Sequence, residues 1–156
     1  MYSASLLQPS RLGDAVYLIS DGGDNSSHAR LRDVKREFLA RGIRVFAFIL
    51  SEGQNFPTEE LSGADVLKYL TLTTGGAIIE SDGSLSAKDH DRINNALAHG
   101  YDEMARFYEV EVELPSSLKK ESRWTLEIVD ERGKKRKDLQ AFYPQEQPAC
   151  SLMSNE

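Results

Sequence analysis

The chain has a single cysteine among its 156 residues, Cys150, in a polar C-terminal stretch. One thiol can neither close an internal disulfide nor build a thiolate metal site alone, which excludes disulfide-stapled and zinc-ribbon folds. Long apolar runs are also missing: nothing approaches the roughly 20 residues that a membrane-spanning helix needs. The first ten residues have neither the basic start nor the apolar stretch of a signal peptide. They predict a cytoplasmic protein if Met1 is the true start. A positive field is absent as well. The formal net charge is -6, which argues against generic nucleic-acid binding, because phosphate recognition wants a basic surface. The one basic cluster, Arg132-Gly133-Lys134-Lys135-Arg136-Lys137, lies between two expected strands and reads as a solvated hairpin turn. What is present is ordinary for a globular protein: 40% hydrophobic and 28% charged residues, enough for one domain with one core.

The apolar residues are organised in a recognisable order. Ala15 to Ile19 is a short continuous apolar run bounded by glycines, the pattern of a strand covered on both faces. Leu31, Val34 and Phe38 then recur at helical spacing, and Gly42 stands where helices end. Ile43 to Leu50 is a second apolar strand. Ser62-Gly-Ala-Asp65 has the spacing of a capping box and predicts a short helix through Val66, Leu67 and Leu70. That helix is expected to stop before Gly75-Gly76, with a third strand over Ala77 to Glu80. Ser86 opens a longer helix with Ile93, Ala96, Leu97, Gly100, Tyr101 and Met104 on one face. A β-α-β-α-β-α order with short connections implies right-handed crossovers and a parallel sheet.

The pattern then changes to alternation. Tyr108, Val110, Val112 and Leu114 are interleaved with Glu109, Glu111 and Glu113, as in a half-exposed antiparallel strand. Two more strands are expected over Trp124 to Asp130 and Leu139 to Tyr143, with a turn at Gly133. The expected organisation is therefore a lead-in over residues 1–13, a partial α/β domain over 14–105, an antiparallel β-appendage over 106–144, and a flexible tail over 145–156.

Ligands of parallel α/β sheets sit beyond the C-terminal ends of the strands. Asp21 occupies that location after the first strand, followed by Asp24, Asn25, Ser26 and Ser27. Carboxylate, amide and hydroxyl oxygens suit a hard cation such as Mg²⁺ or Ca²⁺. The same residue types also build turns and helix caps, and composition alone favours that plainer role. Catalytic constellations are lacking. Ser27 beside His28 is not a nucleophile–base arrangement, no Gly-x-Ser-x-Gly elbow occurs, and His90 and His99 have no metal spacing. Gly75-Gly76 lacks the Lys and Ser/Thr of a phosphate loop.

The stretch Ala15-Val-Tyr-Leu-Ile-Ser-Asp-Gly-Gly-Asp-Asn-Ser-Ser27 resembles the fourth strand and following loop of von Willebrand factor type A (VWFA) domains. The succeeding helix, the Ile43–Leu50 strand, Thr74-Gly75-Gly76 and a last helix follow in the same order. The ending Phe107-Tyr-Glu-Val-Glu-Val-Glu-Leu, with Tyr143-Pro144, resembles the bacterial VWFA-related subgroup. The resemblance spans roughly residues 10 to 144 and implies a partial Rossmann-like parallel sheet without its first strands, followed by a small antiparallel β-appendage. It further implies one ligand of a metal-ion-dependent adhesion site, falling on Asp21, with Asp24, Asn25 and Ser26 as loop neighbours of no assigned role. The other ligands belong to earlier strands.

Asp82-Gly83-Ser84-Leu85-Ser86 fits the family's Asp-x-Ser-x-Ser pattern but follows the sixth family strand, not the first. Two strand spacings separate its loop from that of Asp21, roughly 10 Å, whereas shared coordination needs ligands within roughly 5 Å of each other. Asp82, Ser84 and Ser86 therefore read as a turn and helix cap. The expected function is a non-enzymatic, truncated protein-binding module with an incomplete adhesion site, holding Mg²⁺, Ca²⁺ or no ion. Its alternatives are a metal-dependent hydrolase or phosphoryl-transfer enzyme using Asp21, and a purely structural fragment. An unpaired Ala15–Ile19 edge would invite a homodimer, be covered by the appendage, or mark a piece of a longer product. A piece of an exported parent would be extracellular or periplasmic.

Overall fold

The computed structural model describes residues 5–20, 27–50, 58–81, 87–113 and 120–147, with the side chains of 58–62 and 87–89 outside the description. Strands β1 (Ala15–Ser20), β2 (Arg44–Leu50) and β3 (Ile78–Ser81) form a parallel sheet in the order β1-β2-β3. Helices α1 (Leu31–Ala40) and α2 (Thr58–Thr74) connect them, and α3 (Ala87–Ala105) follows β3. A two-stranded antiparallel sheet of β4 (Ser122–Arg123) and β5 (Glu146–Gln147) completes the mixed α/β architecture. Among the described residues no helix is long and apolar enough to cross a membrane.

Register sorts the strand side chains between two helical layers. Val16 stands beside Val45 and Leu18 beside Ala47, and this face meets Leu31, Val34 and Phe38 of α1 and Leu70 of α2. Both crossover helices thus cover one face, as two crossovers of one hand require. On the opposite face Tyr17 stands beside Phe46 and Ile79 beside Phe48, and α3 crosses there with Gly100 against Ile79 and Tyr17. β2 is central, and Val45, Phe46, Ala47, Phe48 and Ile49 are all buried. Cover on both faces explains why its sequence is continuously apolar instead of alternating.

The helix ends follow local chemistry. Gly42 takes φ +65°, its N–H donates to Leu39 O and the Ile43 N–H to Phe38 O. This is the paired 5→2 and 6→1 closure that a left-handed residue makes. The helix expected to start at Ser62 instead starts at Thr58 and has 17 residues, so Ser62 lies inside it. Thr58-Glu59-Glu60 offers an earlier start, because acids in a first turn complement the helix dipole. On α3, Ile93, Ala96, Leu97, Gly100 and Met104 face inward, but Tyr101, expected among them, is 63% exposed.

The appendage departs furthest from expectation. Residues 108–113 are exposed and join no ladder among the described residues. Trp124, Leu126 and Ile128 do alternate in burial with exposed Thr125, Glu127 and Val129. Their partner is residues 134–136: Val129 bridges Lys135, the Arg136 N–H donates to Ile128 O, and the Asp130 N–H donates to Lys134 O. The connecting turn has Gly133 at φ +77°, and the Asp130 carboxylate accepts from the Arg132 and Lys134 N–H groups. The hairpin at Gly133 is as expected, but Leu139–Tyr143 forms no strand. The chain instead commits its main-chain bonds two residues later, with the Trp124 N–H donating to Gln145 O and the Gln145 N–H to Thr73 O. Residues 145–147, expected to begin a loose tail, are thus held against α2 and in β5.

Candidate functional site

Because the three strands run parallel, Ser20, Leu50 and Ser81 end at one rim of the sheet. Register puts Ser20 beside Ile49 and Ser81 beside Leu50, so Ser20 and Ser81 flank β2 at roughly 10 Å separation. Asp21, Asp24, Asn25 and Ser26, which follow β1, lie outside the described residues, as do Asp82, Ser84 and Ser86, which follow β3. Of the described residues at this rim, Ile19 and Leu50 are exposed, Ser20 is half-buried and Ser81 is buried. Among the described residues no group of three or more His, Cys, Asp or Glu is arranged to hold a metal. His28 and His90 are exposed, and His99 is an exposed partner of Glu103 one helical turn on, at 3.1 Å.

Thr74-Gly75-Gly76 lies at the opposite rim, where it closes the sheet. β3 begins only opposite Ala47, which leaves the Val45 N–H without a strand partner on that side. The Thr74 hydroxyl accepts it at 3.0 Å and donates to Leu70 O at 2.8 Å. Gly75 has φ +80° beneath Tyr143 and Pro144, and a Cβ on Gly76 would stand 1.7 Å from Val45 O. The two glycines permit this close backbone approach.

A buried charge cluster, which the sequence pattern did not single out, joins the appendage to the helices. Lys35 of α1 is 7% exposed and Glu146 of β5 is 4% exposed. The Lys35 ammonium donates to Glu146 Oε2, to Glu121 Oε1 at 2.7 Å and to Tyr69 Oη at 3.3 Å. Burial alone would lower the Lys35 pKa, but the hydrogen bonds to Glu121, Glu146 and Tyr69 outweigh it and hold the group above its ordinary value. Burial likewise pushes Glu146 up, and its hydrogen bonds, Lys35 foremost, bring it below the usual carboxylate range. Arg123 adds a second, largely exposed cation at 3.3 Å from Glu146 Oε1. All three ammonium protons of Lys35 are used. A nucleophilic or basic lysine needs a depressed pKa and a free lone pair, so this one acts as a clamp.

Arg44 plays a comparable role at the foot of α3. Its guanidinium donates to Gly13 O at 3.0 Å and Met104 O at 2.8 Å and lies over the Phe46 and Phe107 rings. Burial lowers its pKa. Burial also raises that of Tyr17, whose hydroxyl has no hydrogen-bond partner among the described residues. Scans against protein-family models, curated proteins and solved structures found no match for this chain.

Proposed function

We propose that the chain is the C-terminal part of a VWFA-like, Rossmann-like domain and works as a non-enzymatic protein-binding module of the bacterial VWFA-related kind. The observation that carries this reading is the parallel order β1-β2-β3 with α1 and α2 on one face and α3 on the other. It is the arrangement expected of the last three strands of such a sheet, and Asp21 directly follows β1 in sequence, beyond the strand end where ligands of parallel sheets sit. Asp21 is the proposed metal ligand, with Asp24, Asn25 and Ser26 beside it and Mg²⁺ or Ca²⁺ as the ion. Asp82, Ser84 and Ser86 come after β3, two strand spacings from β1, and are assigned no part in the ion site. The site is incomplete within this chain. β1 has only β2 as a neighbour among the described residues, and its open flank is where further strands, or a second copy, would pair. A protein partner supplying a carboxylate would complete the coordination.

Calorimetric titration with Mg²⁺ and Ca²⁺ tests the metal role. Binding with a dissociation constant below about 1 mM, abolished in Asp21→Ala with circular dichroism unchanged, is the expected result. No heat with either ion, or equal heat in Asp21→Ala, would remove Asp21 from any metal site.

A further inference from the structure

The amphipathic segment at residues 108–113 and the outer edge of the basic arm of the Gly133 hairpin have no strand neighbour among the described residues, and their chemistries match. Tyr108 is 96%, Val110 62% and Val112 54% exposed. Glu109, Glu111 and Glu113 alternate with them and form no ion pair among the described residues. A strand of this composition presents an apolar face and a face of three negative charges. Across the hairpin, the Arg136 N–H and Lys134 O point inward to residues 128 and 130. By the alternation of an antiparallel ladder, the N–H and C=O of Lys135 point outward, along an edge with no further strand among the described residues. That edge carries Lys134, Lys135, Arg136 and Lys137, all exposed. Lys135 has Glu127 and Arg136 has Asp138 as partners, while Lys134 and Lys137 have none among the described residues.

We propose that residues 108–113 of one copy add as an antiparallel strand to the 134–137 edge of a second copy, reciprocally, giving a closed dimer. Charge complementarity selects this occupant. Two copies of 108–113 paired with each other would set glutamates opposite glutamates, which is unfavourable. Paired with the basic arm, the glutamates fall on the face of Lys135, with Lys137 in the turn just beyond it. Tyr108, Val110 and Val112 then extend the half-buried face of Leu126 and Ile128. The reciprocal contact uses the same two patches twice, so a two-fold axis closes it and no filament grows. The overall charge of -6 on each copy opposes association only beyond the screening distance, roughly 8 Å at physiological salt.

Sedimentation equilibrium over about three decades of concentration is the test. The unmodified chain should move from monomer to dimer mass, with weaker association at high salt. Glu109→Lys with Glu111→Lys and Glu113→Lys should raise the dissociation constant at least about tenfold, as should Lys134→Glu with Lys135→Glu and Lys137→Glu. An equimolar mixture of the two reversed chains should regain the dimer mass, because each then offers what the other lacks. All six positions are exposed, and unchanged circular dichroism checks that both variants fold. A monomer at every concentration overturns the proposal. So does a dimer that survives both reversals, which would put the contact elsewhere, for instance at the open flank of β1.

Discussion

Replacing Lys35 with methionine removes the charge of the clamp and keeps most of its volume, and the cost follows from what is left behind. Glu146 remains 4% exposed, with Arg123 as its one cation. That arginine is 79% exposed at its side chain, and an exposed pairing contributes only about 0–1 kcal/mol. Removing one partner of a buried pair costs about 3–5 kcal/mol, so Lys35→Met should lose about 3 kcal/mol. For a chain of this size that lowers Tm by about 6–12 °C. Urea unfolding followed by circular dichroism should show a lower midpoint at constant slope. The pH dependence should change sign. In the native chain Lys35 is raised, so its contribution is full below the ordinary lysine range and is lost as pH rises through the folded value. Glu146 is lowered, so its contribution is full above the ordinary carboxylate range and is lost as pH falls through the folded value. Native stability should be flat between roughly pH 5 and pH 10 and decline outside. Without Lys35, burial favours the protonated form of Glu146, so acidification toward pH 5 should stabilise the variant. A loss under about 1 kcal/mol, or a variant that still weakens in acid as the native chain does, would refute the clamp.

Two other substitutions and one comparison of probes follow from the same geometry. Gly76→Ala puts a methyl 1.7 Å from Val45 O and should cost more than about 4 kcal/mol, read as loss of soluble folded protein or a collapsed Tm; near-native stability would show that β3 does not lie this close to β2. Thr74→Val keeps the shape but strands the buried Val45 N–H, so a loss of about 1–3 kcal/mol is expected in urea unfolding, and a neutral result would mean that another acceptor takes that proton. Trp124 is the only tryptophan and sits in the appendage, whereas the three described helices lie in the α/β part. Its fluorescence and the helical circular dichroism should therefore unfold at one midpoint, and separate midpoints would show that the appendage is an independent unit.

The α/β part was legible because its signals are short-range. β1 and β2 are continuous apolar runs, and Val45 to Ile49 of β2 are all buried, as that pattern implies. Gly42 stops α1 by its own conformation, and the order of elements limits the sheet to one simple topology. The start of α2 was misplaced because two competing N-terminal signals lie four residues apart, Thr58-Glu59-Glu60 and Ser62-Gly-Ala-Asp65. The appendage was poorly legible for a related reason. Period-two alternation shows that a segment can be a strand, but not which neighbour takes its main-chain groups. Trp124–Val129 keeps its alternation and meets residues 134–136 and Gln145, while residues 108–113 have the same alternation and join no ladder among the described residues. The Asp21 loop, outside the described residues, shows a different limit: sequence order gives only that it follows β1, with no distances between its oxygens.

Lys35 was overlooked although its position is informative. Leu31, Val34 and Phe38 define the buried stripe of α1, and Lys35, four residues after Leu31, lies on that stripe. A lysine there is usually assigned to solvent, because its long stem can carry the charge out past an apolar face. Here that exit is closed. The Gln145 N–H bond to Thr73 O and the packing of Tyr143-Pro144 over Gly75 lay residues 143–147 across α2. Glu146 then faces the ammonium from above, with Glu121 and Tyr69 at its sides. The burial of Lys35 is thus a consequence of the docked appendage, and the docking depends in turn on the charge of Lys35, since without it Glu146 would be an uncompensated buried carboxylate. A helix and a terminal strand 111 residues apart specify each other through one ion pair. Such mutual dependence is invisible to any reading that assigns each residue from its own neighbourhood, and it ties residues 145–147 to the α/β core.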